Sequence, residues 1–218
     1  MAPLPPTATT VLDSILFRDA FGTPRMREIF SDRALISCYV EVEIALARAQ
    51  ARCGVIPAEA AEQIATKSNV ASLDFDLLRH ETDIVGYPIL PLVRQLVKQC
   101  DDAGRYIHWG ATTQDIMDTA VVLQTRDALT IIKEDINELR GILAKLAKKY
   151  RDTPMAGRTH LQQALPVTFA QFSIVTQDVS SSSSLAFWLA SSRVPRAPWR
   201  LLAKRDWRSR RRFARNWA

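Results

Sequence analysis

Three histidines, each inside a polar cluster, are the residues of this sequence best suited to move protons. They are His80 in Arg79-His80-Glu81-Thr82-Asp83, His108 in His108-Trp109-Gly110-Ala111-Thr112-Thr113-Gln114-Asp115, and His160 in Gly157-Arg158-Thr159-His160-Leu161-Gln162-Gln163. Histidine titrates closest to neutrality, so it is the usual proton carrier. In the second cluster Thr112 and Thr113 bring hydroxyls and Gln114 an amide, while Asp115 either caps a helix or orients His108. A helix starting there turns free N–H groups and the positive end of its dipole toward a carboxylate or phosphate. In the third cluster Arg158, Thr159, Gln162 and Gln163 suit carboxylate binding, and His160 suits acid–base work. Each cluster also has a purely structural reading. Thr112 or Thr113 is then a helix cap beside a satisfied loop histidine, residues 157–163 a polar connector, and residues 79–83 a solvated turn.

The elements that must position these clusters read as helices. Residues 33–52 place Leu35, Cys38, Tyr39, Val42, Leu46 and Ala49 at three- and four-residue steps, with Asp32 as the expected N-cap and Gly54 as the stop. Pro57 opens a helix over 58–67. Residues 74–80 make one or two turns, and 89–100 form an apolar helix ended by 101–104. The longest element runs from about 112 to 149. Its stripe of Leu129, Ile132, Ile136, Leu139, Leu143, Leu146 and Tyr150 is of the kind that helix bundles bury. Residues 153–163 read as a non-helical connector, and Pro166 as the start of a further helix over 167–178. The expectation is an all-α protein. Residues 1–10 form a disordered leader, 11–110 an N-terminal helical domain, 111–178 part of a long-helix bundle, and 179–218 a basic tail.

The net charge of +6 is unevenly spread over the 218 residues. Residues 193–218 carry +9 and the remainder −3, so the basicity belongs to the tail. Such a tail either forms an arm for nucleic acid or an anionic membrane, or reflects a sequence not selected to fold or bind. The three cysteines, Cys38, Cys53 and Cys100, show no metal-ligand spacing and suggest a reducing compartment. No stretch has the length and apolarity of a membrane span. No metal, no cofactor, no nucleic acid and no membrane partner is expected, and the expected location is the cytoplasm.

Two segments carry a family resemblance. His-Trp-Gly-Ala-Thr-Thr-Gln-Asp-Ile-Met-Asp-Thr-Ala (108–120) and Gly-Arg-Thr-His-Leu-Gln-Gln-Ala-Leu-Pro-Val-Thr-Phe (157–169) resemble two conserved regions of the fumarase/aspartase superfamily. That superfamily includes adenylosuccinate lyase, argininosuccinate lyase and 3-carboxy-cis,cis-muconate cycloisomerase. Residues 21–32 resemble the cycloisomerase branch. The resemblance covers roughly 13–170. It implies an all-helical homotetramer with an L-aspartase-like central bundle and active sites built from three subunits. The implied reaction is His-assisted addition to, or elimination from, a small carboxylate substrate without a cofactor. His160 and His108 match the family's catalytic positions. Thr112, Thr113, Thr159 and Gln162 match substrate-binding ones, and His80 falls near a further histidine of the family.

Departures from the family pattern narrow the substrate. Phe21-Gly22 stands where adenylosuccinate lyases carry an Arg-Tyr pair, which disfavours a purine substrate. His160 stands where bacterial cycloisomerases carry Trp. A di- or tricarboxylate is the expectation. The family's signature loop, with its catalytic serine and carboxylate-binding lysine, does not occur in these 218 residues. The expectation is therefore a truncated N-terminal portion with little activity alone. Read one base earlier, codons permitted for residues 197 onward encode a segment resembling family sequence. This predicts that the tail beyond about 171–195 is a frame-shifted or mis-spliced reading.

Overall fold

A computed structural model describes residues 10–12, 14–171 and 173 of the chain. The expectations for the 1–10 leader, Thr10 apart, and for the 179–218 tail fall outside these residues. The described chain divides into two units, one running through Arg126 and the other beginning at Asp127.

The first unit is helical throughout. Two short helices, α1 (Arg18–Phe21) and α2 (Pro24–Ile29), lead into α3 (Asp32–Arg52). The predicted cap Asp32 is instead the first helical residue. Ser31 caps α3, its extended backbone aiming Oγ at the Ala34 N–H, which donates to it at 3.2 Å. Cys53 and Gly54, at φ +70°, end the helix as expected. Pro57 opens α4 (Ala58–Lys67) from the cap position, and the helix has the expected bounds.

Helix α5 (Phe75–Val85) runs past the predicted one or two turns. Asp74 caps it by accepting the Leu77 N–H at 2.9 Å, and no breaker follows until Gly86 at φ +89°. Helix α6 (Ile89–Gln99) buries Ile89, Leu92 and Leu96, and Cys100 continues the same face, each at most 1% exposed. A 3-10 turn over Val70–Ser72 precedes α5, and another over Asp101–Tyr106 follows α6.

One core joins these elements. Tyr39, Val42 and Leu46 of α3, Ile64 of α4, Leu78 of α5 and Leu92 and Leu96 of α6 meet Ile107 and the first turns of α7 (Thr113–Lys149) through Ile116, Ala120 and Leu123. Each such side chain contributes roughly 1.5–3 kcal/mol by leaving water. A buried amide adds a polar tie, since Gln124 Nε2 donates to the Ile29 carbonyl at 2.7 Å. Cys100 is fully buried and Cys38 half-buried, and neither they nor Cys53 form a disulfide among the described residues.

In the second unit α7 continues to Lys149, giving 37 residues and about 55 Å at 1.5 Å per residue. Its predicted stripe is half-buried at Leu129, Ile132, Ile136, Leu143 and Leu146 and exposed at Leu139 and Tyr150. The chain then forms an antiparallel hairpin of β1 (Pro154–Thr159) and β2 (Gln162–Thr168).

This hairpin corrects the expected helix from 167, because β2 reaches Thr168 and helical backbone begins only at 169. Pairing runs from Pro154 with Thr168 to Thr159 with Gln162, with an irregularity between Ala156 and Arg158. Gly157 sits at that irregularity, where a Cβ would lie 2.5 Å from the Leu165 carbonyl oxygen. Tyr150 packs edge-on against Phe169 at 5.7 Å between ring centroids. The small hairpin leaves the fold class all-helical in character.

Candidate active site

The segment 107–112 connects the second 3-10 turn to α7, and α3 holds it at two consecutive residues. Glu43, 2% exposed, directs both carboxylate oxygens at His108. One accepts the His108 backbone N–H at 3.1 Å, and the other lies 2.6 Å from the ring Nδ1. Gln50, 8% exposed, donates from Nε2 to the Trp109 carbonyl at 2.6 Å. Seven residues separate Glu43 from Gln50, two helical turns, so both stand on one face of α3.

The backbone they hold is bent out of the usual range. His108 has φ +60° and Gly110 φ +68°. Glycine adopts that conformation freely, but a residue with a Cβ does so at a cost of about 1–3 kcal/mol, and such positions concentrate at functional sites. The Glu43 hydrogen bonds offset that cost here.

Glu43 also governs the charge of His108. The hydrogen bond from the ring to Glu43 raises the imidazole pKa above its ordinary value of 6.5, partial burial opposes the rise, and the charges of Glu43 and Asp115 add to it. Asp115 therefore acts on His108 only at a distance. Of its two predicted roles it takes capping, with Oδ2 accepting the Thr112 backbone N–H at 3.1 Å. Its other oxygen is buried with no hydrogen-bond partner among the described residues. Thr112 is exposed, Thr113 is half-buried as the first residue of α7, and Gln114 hydrogen-bonds Asp118 one turn on. A cation-prone imidazole, two threonines and the N-terminus of a long helix thus occupy six consecutive positions, 108–113.

The remaining predicted residues fall elsewhere. Thr159 and Gln162 pair at the end of the hairpin, and His160 with Leu161, at φ +57°, makes the turn between them. The side chains of His160 and Gln162 are exposed, as is Arg158. His80 lies on the exposed side of α5, with no hydrogen bond among the described residues. His108, Thr112 and Thr113 thus share one segment of the first unit, Thr159, His160 and Gln162 share the hairpin of the second, and His80 lies on α5. Among the described residues no three His, Cys, Asp or Glu side chains are placed to hold a metal ion.

Sequence reasoning missed Glu43 and Gln50. The signal was present: both are polar residues at positions of α3 that otherwise face the core.

A helical core leading into one very long helix, with a strained histidine and paired threonines at its entrance, describes a class of helical lyases. A protein-family profile described as "Lyase" matches residues 19–186. Trans-aconitate decarboxylase 1 of Mycosarcoma maydis is 49% identical over 152 residues, covering 69% of this chain and 31% of that protein. 3-Carboxy-cis,cis-muconate cycloisomerase of Acinetobacter baylyi is 49% identical over 161 residues, covering 71% of this chain and 36% of that protein. The crystal structure of a fumarate lyase from Mesorhizobium sp. BNC1 superposes with a TM-score of 0.78 at 47% identity, covering 89% of this chain and 48% of the other. The chain belongs to this lyase family, the fumarase/aspartase superfamily. It spans about a third of the length of these two curated relatives.

Proposed function

We propose that residues 108–113 and 158–162 contribute to an active site that binds a di- or tricarboxylate and supports His-assisted addition or elimination. The observation that carries this reading is the arrangement around His108. A buried carboxylate favours the protonated imidazole, and that imidazole stands just ahead of the N-terminus of α7 with Thr112 and Thr113 beside it. Positive charge, hydroxyl donors and the positive end of the α7 dipole in one short segment suit a substrate carboxylate. Two similar proteins are named for tricarboxylates, trans-aconitate and 3-carboxy-cis,cis-muconate. His160 is proposed as the proton-transfer residue, with Thr159 and Gln162 holding substrate beside it and His80 as a further substrate contact.

The same reading includes assembly. Leu139 and Ile142 of α7 and Tyr150 just beyond it are exposed, which supports packing of this helix against other subunits in a homotetramer. Cys38, Cys53 and Cys100 are not joined in disulfides among the described residues, which supports a reducing compartment such as the cytoplasm. Among the described residues no helix is long and apolar enough to cross a membrane.

Calorimetric titration of the chain with trans-aconitate and with 3-carboxy-cis,cis-muconate tests the carboxylate reading. Binding of one of them, weakened about tenfold or more by His108→Gln, is the expected result, since a charge-assisted hydrogen bond contributes about 1.5–3 kcal/mol. Equal affinity in the native chain and the variant would remove His108 from the site.

A further inference from the structure

We propose that Glu43 is the positioning residue of this site: its two carboxylate oxygens fix the His108 backbone and pin a proton on Nδ1, so that Nε2 is the ring atom that meets the substrate. Only the last clause rests on the function proposed above. The placement of the proton follows from geometry alone.

Glu43 is almost completely buried, with its side chain at 1% exposure against 21% for that of His108. A buried carboxylate needs donors for both oxygens. Here one donor is the His108 backbone N–H at 3.1 Å. The other oxygen lies 2.6 Å from Nδ1. A carboxylate only accepts hydrogen bonds, so Nδ1 must carry the proton in both charge states of the ring. The titrating nitrogen is then Nε2, which has no hydrogen-bond partner among the described residues. When His108 is charged, Nε2 is an N–H donor suited to an anion. When neutral, Nε2 is a lone-pair acceptor suited to taking a proton. One glutamate thereby sets both states of the histidine, and the same contact stabilises its left-handed backbone.

Two neighbouring observations support a built site. Gln50, on the same face of α3, fixes the next carbonyl in the chain at 2.6 Å. Asp115, whose charge also favours the protonated ring, ties down the backbone at Thr112. The segment is therefore held at 108, 109 and 112, and Nε2 of His108 has no hydrogen-bond partner among the described residues.

The test is long-range proton–nitrogen NMR of the imidazoles in the 218-residue chain. With three histidines in the sequence, His108 is assigned by the signals lost in His108→Gln. In the native chain, neutral His108 is expected to show its proton on Nδ1, and its titration midpoint should lie above the ordinary histidine value. In Glu43→Gln the midpoint should move down and the tautomer should lose its fixed preference. A native His108 protonated on Nε2 when neutral overturns the proposal whether or not Glu43→Gln folds. So does a titration unchanged in folded Glu43→Gln. Adding trans-aconitate to the native chain separates the two levels. A shift at Nε2 supports its contact with substrate, whereas the expected tautomer with no shift at Nε2 leaves the role of Glu43 intact and overturns the carboxylate reading of this histidine.

Discussion

Glu43 and Gln50 stand two turns apart on α3 and grip consecutive residues, His108 and Trp109, of a single loop. A core helix thus supplies the frame for a site whose chemistry lies some sixty residues further along the chain. Gln50 Oε1 is buried with no hydrogen-bond partner among the described residues, where its side chain holds the loop through the Nε2 bond.

Replacing Gln50 with Ala removes that bond and leaves the Trp109 carbonyl to find another donor. The expected loss is about 1–3 kcal/mol of folding stability. A urea midpoint lower than native by that equivalent, with an unchanged slope, checks it.

The pH dependence of stability follows from His108. Its folded pKa is raised above the unfolded value near 6.5, chiefly by the hydrogen bond to Glu43. The stability gained is therefore fully present below the unfolded pKa and is lost as pH rises through the folded pKa. Urea midpoints measured from slightly acid to mildly alkaline pH should fall across that window, and the fall should flatten in Glu43→Gln.

The start of α3 gives a comparison between adjacent residues. Ser31→Ala removes the cap on the Ala34 N–H and should cost about 1 kcal/mol. Asp32→Ala loses only the interaction of a first-turn charge with the helix dipole, roughly 0.3–1 kcal/mol at low salt and less at high salt. Denaturation of both variants at high salt separates them.

Packing predicts a larger contrast. Leu92 has no exposure, so Leu92→Ala should cost about 2–5 kcal/mol. Ile84 is 72% exposed, and Ile84→Ala should stay within about 0.5 kcal/mol. Thermal unfolding of the two variants measures the difference.

The helices were legible in the sequence because apolar residues at three- and four-residue steps mark a buried face. That rule placed α3, α4, α6 and α7 to within about two residues. It did not resolve Ser31 from Asp32, since both are good caps and only backbone geometry selects one. The hairpin was illegible for a related reason. Nearly all of β2 is exposed, so no alternation of apolar and polar residues records the strand, and its pairing lies in backbone groups that side chains do not reveal.

The candidate site was half legible. His108, Thr112 and Thr113 stood out by residue type and spacing, and the local bend was hinted at by Gly110. Glu43 did not stand out, because one carboxylate on a long helix reads as solvated surface unless its neighbours are counted. Ile36, Tyr39, Val40, Leu46 and Ala47 share its side of α3 and are all buried, which makes its burial deducible in retrospect.

The 65 residues separating Glu43 from His108 also bear on how the protein reaches its native state. A loop of that length closes against an entropy penalty that local structure cannot offset. The segments between them contain α4, α5 and α6, whose packing forms the core. The grip on His108 is thus a late, non-local contact, expected to form together with that core rather than before it. The Nδ1 proton at Glu43 should accordingly be slow to exchange in the folded chain and report on completion of the whole unit.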